Sequence, residues 1–258
     1  MEPLAFKKEL RKIIEIQEQI KDIHPFLERI FPVAVATDGN FFVFEFDHER
    51  KDFVFIRKFP VKWEIPEGLR AAFPLDFYDN KMACAVTPDA FDSLEGYAFI
   101  FHGFIHCQQW EICELKLKRR LEVAQEAMKN GDYMWELTHP FPYENENFSE
   151  IYYRFLKALE YKDLDSIYQY RGQLRNILNK KDFEYMVWQE WKEGFARYIE
   201  NLIRIRLGLP ENHFGDQKPF SRITFYEGGS RFIEFLSDKE PELLINIEDL
   251  FRRISREF

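Results

Sequence analysis

Apolar and polar positions change their rhythm along this chain. Within residues 3–23, Leu10, Ile13, Ile14 and Ile20 recur at helical spacing among charges, which predicts an amphipathic helix. From Pro32 to Phe59 the period shortens. Residues 33–36, 41–46 and 53–56 read as strands, split by Asp38-Gly39-Asn40 and by the polar run 47–52. A three-stranded antiparallel meander is the simplest arrangement. Pro60, Pro66 and Pro74 then mark an irregular connection, and residues 81–86 read as one more short strand.

Beyond residue 90 the period is helical. Asp92 with Glu95 predicts a capped start and Asn130-Gly131 a stop, giving one long helix. That helix is apolar nearly all round in its first half and amphipathic from Glu114 onward. Residues 130–147, with Pro140 and Pro142, form a loop. Further helices are expected near 149–161, 163–179, 182–207, 221–237 and 246–257, with Gly208 and Pro210 closing the one at 182–207. The fold class is therefore α+β: a small N-terminal helix and antiparallel-sheet lobe over residues 1–90, then a mainly helical lobe over 91–258, the two making one compact unit.

Composition narrows the function. Hydrophobic residues at 46% and charged residues at 31% of 258 describe a globular chain, not a disordered one. A formal charge of −9 argues against a nucleic-acid partner, which needs clustered Lys and Arg. The one basic run, Lys116-Leu117-Lys118-Arg119-Arg120, is flanked by Glu111, Glu114, Glu122 and Glu126 at helical spacings and reads as a solvated face. Cys84, Cys107 and Cys113 form no CxxC pair, so reduced thiols and a cytoplasmic setting are expected. No signal peptide and no membrane-spanning run are read from the sequence.

Candidate chemistry lies in two segments. In His102-Gly103-Phe104-Ile105-His106 the histidines are four apart, so both rings leave one side of a helix at the spacing two imidazoles need to share a metal ion. At 100° per residue Glu95, His102, His106, Gln109 and Cys113 share that stripe. A polar stripe among Ile100, Phe101, Phe104 and Ile105 needs partners: a metal, backbone carbonyls or water. A carboxylate from a second helix can complete a metal site, and Trp191-Lys192-Glu193-Gly194-Phe195-Ala196-Arg197-Tyr198 offers Glu193. The alternative for Glu193 is an i,i+4 ion pair with Arg197 on a solvated face.

The two segments together resemble the zinc metallopeptidases of the gluzincin type. Their pattern is HExxH with a distant Glu that is often followed by Gly and then an aromatic, and Glu193-Gly194, Ala196, Tyr198 and Glu200 are similar to the helix that supplies the third ligand. The resemblance covers roughly residues 80–235. It implies zinc, or another divalent metal, held by His102, His106 and Glu193, and a peptide or protein substrate. It also implies that residues 81–86 are an edge strand pairing with extended substrate. Within Phe225-Tyr226-Glu227-Gly228-Gly229-Ser230 it makes Tyr226 the candidate oxyanion stabiliser.

One position departs from the pattern. The general-base Glu that should follow the first His is Gly103, which cannot accept a proton. General-base help is worth roughly 10²–10⁴-fold, so its loss implies weak or absent peptidase activity. Glu190, one turn before Glu193, and Glu95, two turns before His102, are the substitutes considered as a base. A glycine inside a helix also predicts close approach of a ligand or of neighbouring backbone there. The reading is a divergent gluzincin-like metallopeptidase, or a metal-binding descendant; the alternative is a structural or protein-binding module that keeps the fold without a metal.

Overall fold

The computed structural model describes residues 3–256 apart from residue 62. The chain forms two compact units, Met1–Trp110 with Ile199–Glu211, and Glu111–Tyr198 with Asn212–Phe258.

The first unit is built on a sheet. Strands β1 (Val33–Thr37), β2 (Asn40–Asp47), β3 (Asp52–Pro60), β4 (Arg70–Leu75) and β5 (Lys81–Val86) lie in the order β3-β2-β1-β5-β4. The predicted meander exists as the antiparallel run β3-β2-β1. It is only part of the sheet: β5 joins β1 in parallel, and β4 joins β5 antiparallel. The expectation that residues 81–86 form an edge strand is therefore corrected. β5 has a neighbour on each side, and Met82 through Val86 are all buried, as a strand covered on both faces should be. β4 escaped the sequence because Pro74 reads as a breaker; the strand lies at the sheet edge, where proline is tolerated.

Alternation sorts the side chains. Ala34, Ala36, Phe41, Val43, Ala83 and Ala85 fill one face together with Leu75, under Phe59, Phe73 and Phe77. On the other face Phe42 and Phe44 each meet Phe6 edge-on, with centroids 6.0 and 6.1 Å apart. Helix α1 (Lys7–Ile20) buries Leu10, Ile13, Ile16 and Ile20. Helix α2 (Leu94–Gln109) starts at Ser93, whose hydroxyl accepts from the Gly96 N–H, so Ser93 and not Asp92 is its cap. Ile100, Phe101, Phe104, Ile105 and Cys107 are all but inaccessible, which explains an apolar pattern on nearly every side.

The second unit is helical. After α2 the helical path widens into a π turn at Trp110–Glu114, then continues as α3 (Leu115–Lys118). Helix α4 (Glu122–Lys129) starts afresh, so the single long helix expected over 92–130 is interrupted. Leu121 adopts an extended conformation and is buried, and the Glu184 carboxylate accepts from the Val123 N–H at 3.1 Å. That cap comes from a helix 61 residues away, out of reach of any local pattern. The basic run 116–120 is less solvated than expected, since Lys118 is drawn in against Glu114 and Glu136.

Helices α5 (Trp135–Thr138), α6 (Glu146–Glu160), α7 (Leu164–Ile177), α8 (Lys180–Arg206), α9 (Arg222–Ser237) and α10 (Ile247–Ser255) follow. The last five match the predicted helices to within a few residues at each end; residue 257 of the final prediction lies outside the described residues. No described helix is long and apolar enough to cross a membrane.

Arg171 anchors the core of the second unit. Its guanidinium pairs with Glu190 at 2.6 Å, and the Tyr152 hydroxyl donates to the same carboxylate at 2.9 Å. Arg171 and Glu190 are inaccessible, with the rings of Phe155, Phe183 and Phe232 around the guanidinium. Removing one member of such a pair strands the other charge. Arg171→Met should lower unfolding free energy by about 3–5 kcal/mol, and Arg171→Met/Glu190→Leu by clearly less than that, measured by urea denaturation.

Candidate metal centre

Two helices supply the candidate ligands. On α2, the i,i+4 spacing stacks His102 above His106, and the two Nε2 atoms lie 3.0 Å apart. Each ring is fixed from behind. His102 Nδ1 lies 2.9 Å from Glu200 Oε2, and His106 Nδ1 lies 2.9 Å from Gln109 Oε1. An oxygen faces each Nδ1, which suits the tautomer that donates from Nδ1. That tautomer leaves a lone pair on each Nε2. Two lone pairs facing across 3.0 Å repel unless a cation, a proton or a metal ion, stands between them.

The spacing suits a metal. Zinc–nitrogen bonds of about 2.0–2.1 Å at tetrahedral angles put neighbouring ligand atoms roughly 3.3 Å apart. A third ligand is at hand on α8: the ligand atoms of His102, His106 and Glu193 all lie within 4.8 Å of one another, the group of metal-capable side chains found among the described residues. Glu193 and Glu200 are seven residues apart on the same unbroken helix, hence on one face. Glu193 is thus offered as a ligand while Glu200, inaccessible and also 3.6 Å from Arg204, orients His102. A carboxylate behind a ligating imidazole fixes its tautomer and raises its basicity. Sequence reading placed Glu200 only within the motif. The signal for its role was a buried imidazole needing an acceptor and an acid two turns beyond Glu193.

The glycines of the two motifs have a common cause. A Cβ on Gly194 would come within 2.6 Å of Gly229 Cα, and one on Gly229 within 2.2 Å of the Glu190 carbonyl oxygen. Helices α8 and α9 therefore cross backbone against backbone. This crossing sets Tyr226, three residues before Gly229, beside Glu193. Burial above all, then the Glu193 charge, raises the Tyr226 phenol well above its ordinary pKa, with Arg222 opposing. The phenol stays protonated and able to donate.

The remaining sequence candidates find other work. Glu190 spends its carboxylate on Arg171 and Tyr152, which removes it as a substitute base. Arg197, the alternative partner of Glu193 on a solvated face, is buried, and it donates to the Asn212 and Phe214 carbonyls.

Gly103 does not leave a hole where a base is missing. A Cβ there would stand 2.6 Å from Cys84 Sγ and 3.3 Å from Cys84 Cβ. The close neighbour is thus a side chain of β5, not a ligand or backbone. Cys84 is inaccessible, and burial pushes its thiol up to about 12. Gly103→Ala should cost about 1–2 kcal/mol despite alanine's better helix propensity. Combining it with Cys84→Ala should recover part of that loss in thermal denaturation. Gly103→Glu is expected to destabilise further and to yield no peptide hydrolysis.

Beside Glu193, the α8 backbone is held by a closed set of charges. Lys192 contacts Glu114 at 3.1 Å and Glu136 at 2.7 Å, and Lys118 contacts the same two at 2.7 and 2.6 Å. Burial alone would raise the Glu136 carboxyl; Lys192 and Lys118 outweigh it and hold the group at about 2. A lowered folded-state value contributes stability above the unfolded value of about 4.3, and this is lost as pH falls towards 2. Urea midpoints should therefore fall between pH 4.5 and 2, and more shallowly in Glu136→Gln.

Comparison of the chain with protein-family models, curated proteins and solved structures finds no match. The site is read from its own geometry.

Proposed function

We propose that His102, His106 and Glu193 hold one divalent metal ion, zinc by its donor set of two imidazoles and a carboxylate, in a gluzincin-like protein whose peptidase activity is weak or lost. The observation that carries this is the approach of the two Nε2 atoms to 3.0 Å, where two unprotonated nitrogens would meet in repulsion, with an oxygen facing the far nitrogen of each ring. A cation relieves that repulsion, and a carboxylate on a third side favours a metal over a proton.

A bound zinc would supply a Lewis acid and a water of lowered pKa. The chain's own residues do the rest. Glu200 and Gln109 aim the imidazoles, and the protonated Tyr226 can donate to an oxygen that gains charge. Gly103, packed on Cys84, and Glu190, bound to Arg171, do not supply the missing base. That packing also favours the second reading, a binding module that keeps the fold, over a simple loss of one carboxylate.

Protein purified without a histidine tag or added zinc should contain close to one equivalent of transition metal by mass spectrometry. His102→Ala should remove it, and Glu200→Gln should weaken affinity about 10–100-fold. Less than a tenth of an equivalent in the wild type, even after incubation with zinc, overturns the proposal.

A further inference from the structure

The sheet of the first unit ends at β3, and the outer edge of that strand is open. β3 pairs with β2 alone. Apart from the Phe53 N–H, which donates to the Asp52 carboxylate at 3.0 Å, no backbone group of β3 bonds outside the sheet among the described residues. An edge of this kind is a template for another strand unless charge, proline or a bulge guards it. Here the charge has one sign. Over residues 50–60, Arg50, Lys51, Arg57 and Lys58 face a single acid, Asp52, in a chain of net charge −9. Lys51, Arg57 and Lys58 are exposed, and none has a carboxylate partner among the described residues. Lys7 and Lys8 on α1 are likewise without one, and the Lys7 charge acts on Asp52 at the start of the strand. Phe55, between these cations, is 42% exposed.

Register sorts these side chains between the two faces. Phe55 lies opposite Phe44 and Lys58 opposite Phe42. The ladder shifts between Val43 and Phe44, passing over Ile56, so that Arg57 lies opposite Val43 and Phe59 opposite Phe41. Phe55 and Lys58 therefore share one face, and Arg57 and Phe59 the other. The Lys58 ammonium stands 5.2 Å from the Phe42 ring centre and the Arg57 guanidinium 5.0 Å from that of Phe59. Both faces of the open edge thus carry a cation beside an aromatic ring. We propose that β3 is a docking edge for an extended acidic segment of a partner protein, which adds to the sheet as a further strand. Neighbouring residues of a strand point to opposite faces, so two consecutive acids in that segment meet Arg57 and Lys58 together. Backbone bonds along β3 supply the attachment, and the cations select the sign of the partner and fix its register. The edge lies at the opposite end of the sheet from β4, with β2 and β1 between it and the Cys84 strand that packs on Gly103. The inference does not rest on the metal-site reading.

The test is isothermal titration calorimetry on the full chain at low salt with three capped hexapeptides. They are Thr-Val-Glu-Glu-Val-Thr, its counterpart Thr-Val-Lys-Lys-Val-Thr, and the acidic peptide N-methylated on its four central amides. The wild type should bind the acidic peptide about tenfold or more tightly than the basic one, with affinity falling as salt rises. The N-methylated peptide keeps the charge and loses the backbone donors, and it should not bind. Arg57→Glu/Lys58→Glu should reverse the preference towards the basic peptide, with the thermal midpoint unchanged because both side chains are exposed. If that variant does not fold, the N-methylated peptide decides the matter on the wild type. No binding of the acidic peptide, equal binding of the acidic and basic peptides, equal binding of the N-methylated one, or a preference for acid that survives in the folded double variant would each overturn the docking edge.

Discussion

Two imidazole nitrogens 3.0 Å apart need something positive between them, a proton or a metal ion. In this chain the arrangement is enforced from outside the pair. Glu200 fixes one ring and Gln109 the other, each from the side away from the contact. Glu200 is inaccessible and Gln109 is buried in the last turn of α2, so neither can readily turn to solvent instead. Such a place favours a positive charge, and the Glu193 carboxylate of α8 lies within 4.8 Å of the ring nitrogens.

The surroundings of that place are rigid for separate physical reasons. Helix α2 is apolar on nearly all sides and lies against the sheet through Gly103 and Cys84. Helix α8 carries Glu193 amid compensated charge, with Lys192 tied to Glu114 and Glu136. The residue after the first histidine, where gluzincins carry their base, is here a glycine packed on Cys84. The space is filled, not vacated. A metal held there would therefore sit in a well-ordered polar site that lacks a proton acceptor in the usual place.

Much of this was legible in the sequence. Helical spacing in α6 through α10 and alternation in β1 to β3 speak through local periods, and the histidine pair and Glu193 speak through residue type and spacing. What stayed hidden depends on distant partners. Pro74 looks like a breaker until β5 shields only one of its flanks. The start of α4 needs Glu184, and the burial of Lys118 needs Glu136. Gly103 is ambiguous in one dimension, since both a lost base and a tight contact write the same letter; only Cys84 tells them apart.

The crossing of α8 and α9 has a wider implication. An added carbon on Gly194 would meet the Gly229 backbone, and one on Gly229 would meet the backbone of Glu190, one turn before Gly194. These two sites act as one position in an evolutionary sense. Among any descendants that keep the phenol and the acid side by side, one should find both glycines or neither, and a lineage that enlarged the first would have had to re-pitch the second helix altogether.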